Sequence, residues 1–68
     1  MNHTPLSSSN LSSIAHDGKN LEVRFQSGKT YQFQNVPRDI YRKVIAHPSP
    51  GTAFHQLVKG QYPHVKIP

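Results

Sequence analysis

The sequence contains no cysteine. No disulfide can brace the chain, and no thiolate can hold a metal. Carboxylates are nearly as scarce. Asp17, Glu22 and Asp39 stand against eight Lys and Arg, which gives a net charge of +5 at pH 7 and a pI near 10.0. No apolar run approaches the ~20 residues a membrane span needs, so no membrane partner is expected. The opening Met1-Asn2-His3-Thr4-Pro5 has neither a basic n-region nor an apolar h-region. No signal peptide is expected there, and a cytoplasmic location follows as the expectation. The five histidines form no HxH and no HExxH pattern. Neither a metal site nor a cofactor is expected. No internal repeat is present at any useful period.

What remains is a chain of 68 residues and 7.7 kDa, 34% hydrophobic and 16% charged. That excludes a multidomain enzyme, a coiled coil and a collagen-like chain. The apolar residues are clustered and patterned, which argues against disorder throughout. One domain over residues 1–68 is expected, with a polar lead-in at 1–9 and an extended tail at 61–68. A core of this size rarely supplies more than about 3–5 kcal/mol, which argues against a deep, strained catalytic cleft. The positive charge would draw the protein to polyanions such as nucleic acid in a salt-dependent way. It would equally serve to keep a small protein soluble.

Local pattern places the elements. Leu11 and Ile14 are three apart, which fits neither clean alternation nor a long helix, and Leu11–His16 reads as a short, irregular strand. Asp17-Gly18-Lys19-Asn20 reads as a turn. Residues 21–26 alternate strictly, with Leu21, Val23 and Phe25 on one face and Glu22, Arg24 and Gln26 on the other. Residues 29–34 alternate again, with Tyr31 and Phe33 together. A two-residue loop at Ser27-Gly28 would put the two apolar sets on opposite faces. A loop with an odd number of residues, with Gly28 in the left-handed conformation of a G1 bulge, sets Val23 opposite Tyr31 and Leu21 opposite Phe33.

Helix signals follow. Pro37 suits a first helical turn. Val36, Ile40 and Val44 make an i, i+4, i+8 stripe that Tyr41 and Ile45 widen, and Asp39 precedes Lys43 in the favourable i,i+4 order. Pro48 ends that helix. Ser49 as N-cap and Pro50 at N1 open another, whose apolar face is Ala53, Phe54, Leu57 and Val58 and whose stop is Gly60. The tail is too rich in proline for a helix and is expected to run extended, with Tyr62 packed on the core. The fold class is therefore α+β: a three-stranded antiparallel β-meander followed by two short helices on one sheet face, the other face polar and solvated. Val23, Phe25, Tyr31, Phe33, Ile40 and Phe54 are expected to be buried together.

In order, Ser8-Ser9-Asn10, Leu21-Glu22-Val23-Arg24-Phe25, Ser27-Gly28, Tyr31-Gln32-Phe33, Val36-Pro37, Pro48-Ser49-Pro50-Gly51 and Tyr62-Pro63 resemble the KTSC domain family. The resemblance spans roughly residues 5–67. The family occurs as small stand-alone bacterial and phage proteins and at the C-terminus of some lysyl-tRNA synthetases. Its hallmark is a central Tyr-x-Tyr, which here reads Tyr31-Gln32-Phe33 without the second hydroxyl. His16 also departs from it, standing where the family commonly has an aromatic, usually Tyr, before Asp17. The resemblance implies no established biochemical function. Its attachment to a synthetase suggests RNA, by association only.

Tyr31 and Phe33 invite a nucleobase-stacking reading. Parity opposes it, because both share the face that Leu21, Val23 and Phe25 must bury. The missing hydroxyl also suits packing better than hydrogen bonding. Among the cations, Arg38 and Arg42 lie i,i+4 on the first expected helix with Lys43 adjacent, off the apolar stripe. Lys59 closes the second helix. Arg24 and Lys29 lie on the open sheet face and its hairpin, and Lys66 lies in the tail. These are the candidate nucleic-acid contacts, set against the plainer reading of a solvated helix face. No exposed aromatics interleave with them, so binding would be mostly to phosphates.

Three functions remain open. The leading one is a small non-catalytic binding module for RNA, tRNA or another structured RNA. The second is a protein–protein adaptor using the open sheet face or an edge strand. The third, a ribonuclease built on His47 and His55, is disfavoured because no carboxylate stands at a spacing to orient either imidazole. The Gly28-Lys29-Thr30 and Gly51-Thr52 pieces only echo a phosphate loop, and the serine run reads as turn and capping chemistry. No enzyme activity is expected.

Overall fold

The computed structural model describes residues 3–67. Met1, Asn2 and Pro68, the outer ends of the expected lead-in and tail, lie outside the described residues. The fold is α+β, with one antiparallel sheet and two helices. Its strands are β1 (Thr4–Pro5), β2 (Leu11–His16), β3 (Leu21–Phe25), β4 (Thr30–Phe33) and β5 (His64–Ile67), with α1 (Arg38–Ala46) and α2 (Pro50–Leu57) inserted before β5. Spatial order equals chain order, β1-β2-β3-β4-β5.

The central meander follows from alternation and turn chemistry. Val23 lies opposite Tyr31 and Leu21 opposite Phe33. That register needs the odd loop, and the loop is present. The Gly28 N–H donates to the Phe25 carbonyl at 3.0 Å, the Phe25 N–H donates to the Lys29 carbonyl at 2.8 Å, and Gly28 sits at φ +92°. A Cβ on Gly28 would meet nothing within 4 Å, so the demand is on backbone conformation alone. Gly28→Ala is expected to cost about 1–2 kcal/mol, the price of a left-handed L-residue. Urea denaturation checks it, and an unchanged midpoint would show that the register does not depend on this turn.

Leu11 and Ile14 reach the same face because β2 carries a bulge. Leu11 pairs with Phe25 but Ser13 with Arg24, so one residue is extra. The parity shift turns both apolar side chains inward, where they are 1% and 0% exposed. A bulge is what a three-residue spacing in a strand requires.

The sheet has five strands where three were expected. The lead-in contributes β1, with Thr4 opposite Ile14 and Pro5 opposite Ser13. The tail contributes β5, with His64 opposite Phe33 and Ile67 opposite Thr30. The tail runs extended as expected, but both segments also pair into the sheet, and each proline sits where a strand tolerates it. Pro5 is on an edge, and Pro63 precedes the paired residues, its carbonyl accepting from the Gln34 N–H at 2.9 Å. Between Pro63 and Pro68 only four residues remain, too few for their alternation to stand out.

Pro37 occupies the N-cap of α1 rather than its first turn, and has no side chain to cap it. The helix stops at Ala46 because His47, which precedes Pro48, is forced to ψ 140°. Ser49 is the N-cap of α2 and Pro50 its opening residue, but the Ser49 hydroxyl bonds the Thr52 hydroxyl at 2.9 Å instead of a backbone N–H. Val36 and Val44 from α1 and its approach, with Ala53, Phe54 and Val58 from α2 and its end, close over Leu11, Ile14, Leu21, Val23 and Phe33. Tyr62 packs against this core, as expected. The opposite sheet face is less open than its polarity suggests. There His3 joins Ser13 (2.8 Å) to Glu22 (3.3 Å), and Ser13 and Ala15 are buried.

Candidate functional site

Val23, Phe33 and Phe54 are buried as the parity argument requires, whereas Phe25, Tyr31 and Ile40 are only half-buried at the edge of the core. The Tyr31/Phe33 pair is thus split: one ring is packed inside and the other stands partly open. The rings meet edge to face. Phe54 contacts Phe25 at 5.7 Å and Phe33 at 5.3 Å between centroids, and Tyr31 contacts Phe25 at 5.7 Å. Such offset geometry sets the positive edge of one ring against the negative face of the next.

This aromatic cluster floors a groove of about 570 Å³ between α2 and the sheet. His55 and Lys59 stand on its α2 side, His64 on β5, and Asn10 and Gln26 at its end. The His64 ring lies 5.1 Å from that of Phe33 and 5.6 Å from that of Tyr31. Lys66, opposite Tyr31 in the ladder, is on the same face of β5 as His64. A second groove, about 510 Å³, lies between the serine run 7–9 and the loop opening α2, and shares Ser9, Asn10, Gly51 and His55 with the first. Among the described residues, no Asp or Glu lines either groove.

The candidate cations do not converge on one patch. Arg38, Arg42 and Lys43 are exposed together on α1, as their spacing implies. Arg24 is exposed on the sheet face away from the helices, and Lys29 in the β3–β4 turn. Lys59 belongs to the aromatic groove. His64 was not singled out from the sequence. Its only signal was the alternation of His64 and Lys66 with Val65 and Ile67. The two histidines considered for RNA cleavage do not share a groove: His55 lines both, while His47 lines neither and its Nδ1 accepts from the Ser49 N–H at 2.9 Å.

The carboxylates are placed elsewhere. Asp17 lies in the β2–β3 turn, where the backbone N–H of Asn20 (2.7 Å) and of Lys19 (2.9 Å) hold its carboxyl below the usual carboxylate range. Among the described residues no three metal-ligating side chains come together, and no helix is long and apolar enough to cross a membrane.

Comparison with known proteins gives this arrangement a context. The family model for the KTSC domain matches residues 7–62. A crystal structure of a KTSC domain protein from Yersinia pestis superposes with a TM-score of 0.93 at 32% identity, covering 98% of this chain and 97% of that one. An uncharacterized protein of Stutzerimonas stutzeri is 34% identical over 64 residues, 91% of this chain and 90% of its own length. A lysine–tRNA ligase of Nostoc is 32% identical over 47 residues, 69% of this chain but only 8% of the ligase.

Proposed function

The chain belongs to the KTSC domain family, and from that premise we propose that it is a small non-catalytic binding module whose ligand is RNA, held mainly by its phosphates. One observation carries the reading. Among the described residues the one side-chain contact of a carboxylate at ion-pair distance is that of Glu22 with the His3 ring, so Arg24, Lys29, Arg38, Arg42, Lys43 and Lys59 all present charge that no carboxylate neutralises. Unpaired surface cations on a +5 chain supply the counterion-release term that drives phosphate binding. The similarity to part of a lysine–tRNA ligase supports the same partner class.

Arg38, Arg42 and Lys43 are the contact set the geometry favours, because they share one helix surface. Arg24, on the opposite face of the sheet, serves as the control. In a salt titration of tRNA binding, the triple variant Arg38→Gln, Arg42→Gln, Lys43→Gln is expected to lower the slope of log affinity against log salt by about 2–3, while Arg24→Gln leaves it within error. Absence of binding by the wild-type protein at low ionic strength would end the reading. A second reading, a protein adaptor, draws on Val65, a large apolar side chain 49% exposed on edge strand β5. Capture of a discrete partner that survives nuclease treatment and is lost with Val65→Lys would favour it.

A further inference from the structure

We infer that the groove between α2 and β5 is a nucleotide pocket, taking one unstacked base of single-stranded RNA on its aromatic floor and the adjoining phosphate on its basic rim. The inference rests on the RNA reading above but assigns it a second contact surface, distinct from α1.

Three features of the groove converge on that ligand. The floor is aromatic and only partly closed. Phe25 and Tyr31 are half-buried and mutually perpendicular, with Phe33 and Phe54 packed behind them. A flat π-system can lie against such rings, and stacking of this kind is tolerant of base identity. The rim is cationic or hydrogen-bond donating on both sides, with His55 from α2 and Lys59 from the turn that follows it facing His64 from β5, and Lys66 continues the β5 side. Because no carboxylate lines the groove among the described residues, an anion entering it meets no opposing charge. The end is amide-lined. The Gln26 side-chain nitrogen donates to the carbonyls of Ser8 and Leu11, both at 3.3 Å, which leaves its oxygen as an acceptor. Asn10 is exposed beside it and adds donor and acceptor capacity.

Apolar floor, positive rim and amide end together complement a planar heterocycle that carries a negative group. A wholly apolar ligand would leave the rim unused. A duplex would keep its bases stacked and could reach only the cations. The pocket therefore selects single strands, where bases are free to splay. This also locates the functional use of the Tyr31-x-Phe33 pair: Phe33 builds the core, and Tyr31 presents the ring.

The test uses the full chain and a uridine hexanucleotide carrying a terminal fluorophore, compared with an abasic hexamer of the same backbone charge. Wild-type protein is expected to bind the uridine oligomer about tenfold more tightly than the abasic one, since each stacked base contributes on that scale. Tyr31→Leu keeps apolar volume but removes the π-face, and is expected to abolish the difference by weakening only the uridine oligomer. Lys59→Gln, at an exposed position, is expected to weaken both oligomers and to reduce the salt slope by about 1. Equal affinity of the wild-type protein for the two oligomers would overturn the pocket. So would a base preference that survives in a folded Tyr31→Leu variant. Retained tRNA binding alongside either result would leave the α1 reading standing, whereas failure to bind tRNA or either oligomer at low salt would remove both. Binding of polyglutamate as tight as that of the uridine oligomer would show that charge alone is recognised, and would also overturn the assignment.

Discussion

Phe54→Ala is expected to leave the protein largely unfolded at 25 °C. Phe54 is 4% exposed and is the one side chain of α2 whose ring meets both β3 and β4, through Phe25 and Phe33. Truncating a buried Phe costs about 3–5 kcal/mol, counting lost transfer energy and the cavity left behind. A core of this size supplies about the same amount in total. The two quantities are comparable, so the substitution removes most of the stability rather than a fraction of it. Circular dichroism should show no cooperative thermal transition, and amide resonances should collapse toward random-coil positions. Phe54→Leu retains most of the volume and should cost less than about 1.5 kcal/mol, which separates loss of packing from loss of ring contacts. A cooperative melt for Phe54→Ala within a few degrees of wild type would show that the helical layer is not held by this residue.

The parts of the fold that were legible are those where one local pattern decides. Strict alternation in 21–26 and 29–34, plus a glycine at the one position needing positive φ, is enough to fix the β3–β4 register. The apolar stripe of Ile40, Val44 and their neighbours Tyr41 and Ile45 between Pro37 and Pro48, continued from Val36, is enough to fix α1. β1 and β5 were not legible, because short edge strands are stabilised by the neighbour they pair with rather than by their own pattern. Thr4–Pro5 is two residues and His64–Ile67 is four. Neither run shows a period until β2 or β4 lies beside it. The β2 bulge was half-legible. The spacing of Leu11 and Ile14 signalled irregularity, but Ser12 and Ser13 are chemically alike and do not reveal which residue is extra.

The site divides along the same line. Arg38 and Arg42 are on one surface of one helix, and i,i+4 spacing shows it. The groove joins Phe25 and Tyr31 of the meander to His55 of α2, to Lys59 just after it and to His64 of β5. Its existence depends on β5 docking against β4, a pairing that the four-residue run His64–Ile67 does not announce by itself. Tyr31 illustrates the consequence. Parity correctly placed it on the helix-facing side of the sheet, but the helices do not reach far enough to cover it. A side chain can share the buried face and still stand at its open margin.

His16 carries the second large effect. Its Nδ1 accepts from the Gly18 N–H at 2.9 Å, so the proton lies on Nε2, which donates to the Val36 carbonyl at 2.6 Å. The ring stacks on Tyr41 at 5.7 Å, and the Tyr41 hydroxyl bonds the Thr4 hydroxyl at 3.0 Å. One imidazole thereby links the β2–β3 turn, the segment entering α1, α1 itself and, through Tyr41, β1. A tyrosine here could keep the stack but has one polar atom to offer two backbone groups. His16→Phe removes both hydrogen bonds and keeps the ring, and is expected to cost about 1–2 kcal/mol, chiefly by leaving the Val36 carbonyl of a part-buried bond unpaired, since the exposed Gly18 N–H can turn to water. His16→Ala also loses the stack and should cost about 1 kcal/mol more. That difference should vanish in a Tyr41→Leu background, because the stacking partner is then gone, whereas the cost of His16→Phe should persist. Urea denaturation of wild type, the three single variants and the two doubles measures each side of the cycle. If His16→Phe proved as stable as wild type, the two hydrogen bonds would contribute nothing net, and the attachment of α1 to the sheet would rest on the Tyr41 contacts and on the packing of Val36, Ile40 and Val44.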